Sequence, residues 1–211
     1  MSVFGGLLRM IGYHGNYAMS IRSSREVYAR CMLQASSADM IHAFLPTKLE
    51  FSQKWEFHVI HVWLVLRRLR SVHPDAKSAA KDVSQKVFDR MWEDSEKKVL
   101  DAGVSAFVLS RYVKKLQQGF YGSCMALDLA TSTNAGSGAD AVLAGALFRN
   151  LHECDSTEIS AEALRNGAVY IRAQLNHLSA IPDAQMLAGD FAFLPWENVE
   201  QIIQKSLSTA N

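Results

Sequence analysis

Residues 55–70 read WEFHVIHVWLVLRRLR, and this segment decides the fold. It is apolar around nearly its whole circumference and ends in three arginines within four positions. A helix that is apolar on every side is buried either in a protein core or in a membrane. A membrane-spanning helix needs about 20 mostly apolar residues, whereas the apolar run from Val62 to Leu66 is closed at once by Arg67 and Arg68. The segment therefore predicts the buried central helix of a helical domain.

Helical periodicity continues on both sides of this segment. Apolar residues recur every three or four positions in 24–35, 79–102, 105–130, 140–150 and the region up to 181. No window shows the alternation of β-branched and polar residues that marks a strand. We therefore expect an all-α fold, with about six to eight helices around residues 55–70. The domain is expected to cover residues 25–200, followed by a C-terminal tail at 201–211.

The first 24 residues differ in composition from the rest. They contain Arg9, Arg22 and several serines but no acidic residue. This composition is typical of a mitochondrial transit peptide. An ordinary basic tail is the alternative, so residues 1–24 are predicted to be a basic N-terminal arm, either transit-like or bound to another molecule.

Composition and charge exclude several classes of protein. Hydrophobic residues make up 49% and charged residues 20% of the chain, which is typical of a folded domain. The net charge of +1 argues against general nucleic-acid binding, which needs many phosphate contacts. The three cysteines form no C-x-x-C pair, so neither a zinc ribbon nor a disulfide framework is indicated.

Catalytic and metal-binding motifs do not stand out. His58 and His61 share a helix face, but zinc needs three or four ligands, and the sequence contains no H-E-x-x-H. We expect His61 to be a buried, hydrogen-bonded core residue and His58 to be peripheral. We expect that the chain is not an enzyme and that it binds no metal or cofactor. A helical metalloenzyme using the two histidines remains the alternative.

Charged and aromatic positions suggest a binding protein instead. Arg67, Arg68 and Arg70 either stabilise the end of their helix, since cations interact favourably with the helix dipole there, or contact a partner or RNA. Glu93 and Asp94 are adjacent on a helix and diverge by about 100°, which favours a solvated face over acid–base chemistry. Trp92 and Tyr121 are expected to be exposed anchors, because aromatic residues and arginine dominate interface energetics. The predicted partner-binding residues are Arg67, Arg68, Arg70, Trp92, Glu93, Asp94, Tyr121 and Arg149.

Several segments together resemble the ubiquinol–cytochrome c chaperone family. No single motif is specific, but the order and spacing of the segments are. The matching residues are Trp55, His61, Val62, Trp63, Leu64, Leu66 and Arg68, then FDRMWED at 88–94, Gly103-Val104, Phe120-Tyr121, Asp128 and LAGALFRN at 143–150. Upstream, Tyr28 and Cys31 stand about where the family has similar residues.

The resemblance implies an all-helical, non-enzymatic assembly factor for respiratory complex III. It implies that the chain binds newly made cytochrome b, or another hydrophobic client, together with a small helical partner protein. It places the chain in the mitochondrion, on the matrix side of the inner membrane, with peripheral membrane contact and contact with the mitoribosome as further expectations. A family member recruited as a structural or assembly subunit of a mitoribosome or respiratory complex is the alternative.

Overall fold

The computed structural model describes residues 3–44, 51–132, 138–151 and 160–208, and side chains from residue 18 onward except 139, 206 and 207. Within these ranges the chain is all-α, without strands, which confirms the predicted fold class. The helices are α1 (Val3–Ala35), α2 (Ala38–Phe44), α3 (Phe51–Arg70), α4 (Lys77–Asp101), α5 (Ala106–Ser132), α6 (Ala139–Asn150), α7 (Ala161–Ala180), α8 (Asp183–Ala188) and α9 (Trp196–Ser208). The described residues thus hold nine α-helices, one more than the upper end of the predicted range.

Helix α3 is the buried centre of the domain, as its sequence predicts. Twelve of its 20 residues are buried, and α1, α4, α5, α7 and α8 pack around it. Because neighbours lie on nearly every side, the helix buries apolar residues on faces that a surface helix would leave polar. The arrangement explains why the tryptophans at positions 55 and 63 are both buried.

Helices α1 and α4 lie side by side and run in the same direction. Arg90 donates to the hydroxyl of Ser24, and four residues later Tyr28 donates to Asp94. The backbone of α1 continues through residue 24 without a break. The basic arm at 1–24 stays a prediction, because the side chains of residues 1–17 lie outside the described part.

Helices α4 and α5 form an antiparallel hairpin. The rings of Phe88 and Phe120 lie 5.5 Å apart, and those of Trp92 and Phe120 lie 5.9 Å apart. The hairpin turns at Gly103, whose φ of 87° is a left-handed conformation that glycine adopts without a steric penalty.

The C-terminal region closes the core. Phe191 and Phe193, in the irregular stretch after α8, are buried, so this apolar segment packs on the core. The side-chain amide of Gln174 on α7 pairs with both backbone groups of Leu194 at 2.8 and 3.0 Å. Beyond this stretch α9 extends to Ser208, and Val199 and Ile203 on one of its faces pack on the core. The boundary between the domain and a tail at 201–211 stays a prediction.

Candidate functional site

A groove of about 490 Å³ lies between α3, α4 and α5. Its floor is mostly apolar and aromatic, because each of the three helices turns apolar side chains toward it. The apolar lining residues are Trp63, Leu66, Leu69, Ala80, Phe88, Phe120, Tyr121 and Cys124. Tyr121 stands at the rim with 60% of its surface exposed, and Met125 and Leu129 continue this exposed apolar edge along α5.

One end of the groove is basic. Arg70, Lys77 and Lys81 line it, and Lys77 donates a hydrogen bond to the backbone carbonyl of Arg70. Lys81 is exposed and pairs with no carboxylate in the described residues. The groove therefore combines an apolar floor with a positive end, which suits a hydrophobic segment that carries acidic groups at one end.

Asp128 of α5 gathers three donors from α3. Its carboxylate accepts from the indole of Trp63 at 2.9 Å, from Arg67 at 3.0 Å and from Arg70 at 3.0 and 3.2 Å. The guanidinium of Arg67 also lies over the Trp63 ring, 5.5 Å from its centroid. Arg67 and Arg70 are thus held in place yet remain partly accessible, so partner contact by these two residues stays a prediction.

Arg68 has a different environment from its neighbours. It is buried and donates to the carbonyls of Leu178 and Ile181 at 2.9 and 2.6 Å and to the carboxylate of Asp183 at 2.6 Å. The first two bonds go to carbonyl groups at the last turn of α7 and just after it, where the helix no longer supplies a full set of backbone donors. The Leu178 carbonyl also accepts from the backbone N–H of Ile181 at 3.2 Å. The guanidinium of Arg68 is thus engaged in the fold, and partner contact by Arg68 stays a prediction.

Trp92 is buried rather than exposed, so the expectation of an exposed anchor there is wrong. Its ring packs against Trp55, Phe88 and Phe120. The reason is the hairpin: α5 folds back over the face of α4 that carries Trp92. Tyr121, in contrast, is exposed as expected, and its role in binding stays a prediction.

The remaining predicted partner residues lie on two helices, Glu93 and Asp94 on α4 and Arg149 on α6. Glu93 is exposed on α4, and Arg149 is exposed on α6. Asp94 is bound at once by the hydroxyl of Tyr28 at 2.7 Å and by Lys98 at 2.8 Å. Partial burial acts to raise the pKa of Asp94, but the hydrogen bonds from Lys98 and Tyr28 outweigh it and hold that pKa below its usual value. Their contact with a partner stays a prediction.

The sequence reasoning missed Glu56, a buried carboxyl on α3. It is 5% exposed, and its polar neighbour is the hydroxyl of Ser123 on α5. Burial raises the pKa of Glu56 to about 8, and the hydrogen bond from Ser123 lowers that pKa by a smaller amount. A signal was present, because this Glu is flanked by Trp55 and Phe57 in a helix predicted to be buried all round.

His61 lies in the core, and His58 lies at the edge of the core. His61 is fully buried and hydrogen-bonded on both ring nitrogens, as predicted. His58 is half-buried, and burial lowers its pKa to about 4.

Among the described residues no group of three or more His, Cys, Asp or Glu side chains is placed to hold a metal ion. None of the described helices is both long enough and apolar enough to cross a membrane.

Comparison with known proteins identifies the family. The family model for the ubiquinol-cytochrome C chaperone matches residues 48–193, which include the groove and the core around α3. This chain belongs to the ubiquinol–cytochrome c chaperone family. The resemblance expected from the sequence is thereby confirmed.

Curated relatives within this chaperone family are moderately similar. The chain is 28% identical over 147 residues to "Protein CBP3, mitochondrial" of Saccharomyces cerevisiae, covering 69% of this chain and 41% of that protein. It is 26% identical over 157 residues to "Ubiquinol-cytochrome-c reductase complex assembly factor 1" of Xenopus laevis, covering 72% of each. The chain thus spans about two fifths of the length of the yeast relative.

A solved structure shares the fold. The crystal structure of the Cbp3 homolog from Brucella abortus superposes with a TM-score of 0.72 and 21% sequence identity. The match covers 92% of this chain and 98% of that one. The helical arrangement described above is therefore the fold of this solved relative.

Proposed function

We propose that this chain is a non-enzymatic assembly chaperone for respiratory complex III that binds newly made cytochrome b on the matrix side of the mitochondrial inner membrane. Membership in the chaperone family and the names of its curated relatives support the assembly role. The observation that carries the binding part of the proposal is the open, mostly apolar groove between α3, α4 and α5.

The groove suits a hydrophobic client because of its composition. An apolar helix of a membrane protein has no apolar partner in water until it inserts or is bound. The aromatic floor and the exposed apolar edge of α5 offer such a partner without unfolding the domain. Aromatic and arginine side chains are the residues that contribute most to protein interfaces, and both Tyr121 and Arg70 line this groove.

A small helical partner protein would occupy a different surface. Glu93 and Arg149 are exposed outside the groove lining, so both remain available while a client fills the groove. We assign them to partner contact in the proposed complex. No catalytic step is part of this function: the chaperone acts by holding the client until assembly.

The test is complementation in cells that lack this protein. Assembled complex III and newly labelled cytochrome b bound to the chaperone are measured with the wild-type chain, with Tyr121→Ser combined with Met125→Ser, and with the matched control Leu33→Ser. All three positions are exposed. Because the Tyr121 ring also contacts Phe88 and Phe120, urea denaturation of each variant checks that the core is intact. We expect the groove variant to recover little complex III and little bound cytochrome b, and the control to behave as wild type.

The proposal fails if cells lacking the protein assemble complex III normally. It also fails if they lose mitoribosomes or another respiratory complex in its place, which would favour a fixed structural subunit. Mitoribosome profiles from the same cells, measured in parallel, separate these outcomes.

A further inference from the structure

The end of the α4–α5 hairpin, residues 97–115, carries an exposed apolar surface that no described element covers. We call this segment the hairpin tip. In the first half of α5, from Ala106 to Gly119, no residue is buried. Even its most regular apolar stripe, formed by Leu109, Val113 and Leu116, is only half-buried.

Large apolar side chains project from the hairpin tip into solvent. Phe107 is 98% exposed, so nearly the whole ring is in contact with water. Leu100, Val108 and Tyr112 are exposed beside it. A phenylalanine placed at the turn of a hairpin forms a convex projection. Such a ring either fills a preformed pocket on a protein partner or inserts into a lipid interface, which needs no pocket.

The hairpin tip is also strongly basic. It holds five basic residues and one acidic residue, a net charge of +4, whereas the whole chain carries +1, so all other residues together carry −3. Lys98 is paired with Asp94. Lys97, Arg111, Lys114 and Lys115 have no carboxylate partner within the described residues. Positive charge is therefore concentrated where the apolar side chains project.

We infer that the hairpin tip docks on the surface of an anionic lipid bilayer. Phe107 and its apolar neighbours insert at the boundary between headgroups and acyl chains, and the four unpaired basic residues contact anionic headgroups. Interfacial segments combine these two features, apolar or aromatic side chains on one side and Lys or Arg around them. Each basic side chain near an anionic membrane surface adds to the attraction, within a Debye length.

A bilayer fits the hairpin tip better than an acidic protein does. A fluid interface accepts a projecting ring without a preformed pocket, and lysine side chains reach headgroups while their aliphatic stems stay in apolar surroundings. This inference deepens the proposed function, on whose location at the inner membrane it rests, by assigning membrane contact to one surface; binding to lipid requires neither client nor partner. It also places the groove relative to the membrane. Because α5 runs from the hairpin tip to the groove, the lipid surface would lie at one end of the helices that form the groove.

The test is flotation of the full chain with lipid vesicles. One set contains phosphatidylcholine alone, and the other contains about one fifth phosphatidylglycerol as the anionic lipid. We expect binding to the anionic vesicles only, weakened by added salt. We expect Phe107→Ser, and separately Lys114→Glu combined with Lys115→Glu, each to weaken this binding about tenfold.

Matched controls come from the far ends of the same two helices. Leu129→Ser replaces an exposed apolar residue about 33 Å from Phe107 along α5. Lys77→Glu combined with Lys81→Glu reverses two exposed charges at the opposite end of α4. We expect both controls to bind as wild type. Circular dichroism of every variant shows whether it is folded.

The inference is overturned if the chain fails to float with anionic vesicles or floats equally with neutral ones. It is also overturned if a control variant loses as much binding as the tip variants. Such a loss at Leu129 would mean that the whole of α5 lies along the membrane, and such a loss at Lys77 and Lys81 would mean that binding depends on net charge and not on the location of the basic residues. Salt-sensitive capture of an acidic protein by the tip without any flotation would assign the surface to that protein instead. Since no cytochrome b is present in the assay, its result is independent of the proposed client.

Discussion

The hydroxyl of Tyr170 on α7 donates a hydrogen bond to Nε2 of His61 on α3, with 2.7 Å between the two atoms. Nδ1 of His61 lies 2.7 Å from the carbonyl of Phe57, which only accepts, so Nδ1 carries the proton and Nε2 is the acceptor. The same tyrosine hydroxyl accepts from Gln34 of α1 at 3.1 Å. One buried polar chain therefore joins α1, α7 and the central helix. Burial lowers the pKa of His61 to about 4, so its ring is neutral at physiological pH.

We predict that Tyr170→Phe destabilises the domain by about 1–3 kcal/mol. The change removes the hydroxyl and leaves Nε2 of His61 buried without a donor, and an unsatisfied buried polar group costs roughly that much. Urea denaturation measures the free energy of unfolding. Tyr121→Phe is the matched control, because it removes a hydroxyl from an exposed tyrosine and should leave stability unchanged. Equal effects of the two changes would show that the hydrogen bond to His61 contributes nothing.

Glu56 predicts an unusual dependence of stability on pH. Its pKa is raised from 4.5 to about 8 by burial, so the folded state holds this proton more tightly than the unfolded state does. Between these two values the folded chain binds more protons, and its stability therefore falls as pH rises, until the decline ends above about pH 8.

We predict that Glu56→Gln removes this decline. The variant should gain stability over the wild type as pH rises from 5 to 8.5, by on the order of 3 kcal/mol at the upper end. Glu93→Gln, at an exposed position, is the control and should leave the profile unchanged. Thermal unfolding of the three proteins across this pH range measures the difference, and parallel profiles for wild type and Glu56→Gln would contradict the assignment.

Arg68 and Arg67 should respond differently to truncation. We predict that Arg68→Ala costs about 2 kcal/mol or more, because it removes the side-chain donor of the Ile181 carbonyl and the ion pair with Asp183. Arg67→Ala removes a partly exposed pair with Asp128 and should cost less than about 1 kcal/mol. Denaturant unfolding measures both. If the two variants lose the same stability, Arg68 does not hold the end of α7 as described.

Two glycines with left-handed backbone offer a further matched pair. At Gly189, with φ of 75°, an added Cβ would lie 2.6 Å from Cβ of Glu26 and 3.0 Å from the backbone nitrogen of Val27. At Gly103, with φ of 87°, an added Cβ would meet nothing within 4 Å. We predict a loss of about 1–2 kcal/mol for Gly103→Ala, from backbone strain alone. Gly189→Ala should lose more, about 3 kcal/mol or above, since α8 must also move away from α1. Equal losses would contradict the close contact.

The fold was predictable where local pattern and burial agree. Residues 55–70 are apolar all round, and that pattern alone predicts a buried helix with His61 in the core. The prediction failed where residues distant in sequence determine the environment of a side chain. The three arginines cannot be told apart in the sequence, yet Arg68 pairs with Asp183 while Arg67 and Arg70 share Asp128. Trp92 was mistaken for an exposed anchor because its cover comes from α5, a different helix. The groove depends on how α3, α4 and α5 pack against one another. The spacing of apolar residues within each helix does not determine that packing.

The central claim is that the groove between α3, α4 and α5 binds cytochrome b. The most direct measurement places a photo-crosslinking amino acid at Tyr121 on the groove rim, and in a second protein at Leu33, an exposed residue of α1 outside the groove. Newly made cytochrome b is labelled in mitochondria containing either protein, and adducts are counted after illumination. The account predicts an adduct with cytochrome b from position 121 and none from position 33. Absence of the adduct at 121, or equal adducts from both positions, would contradict it.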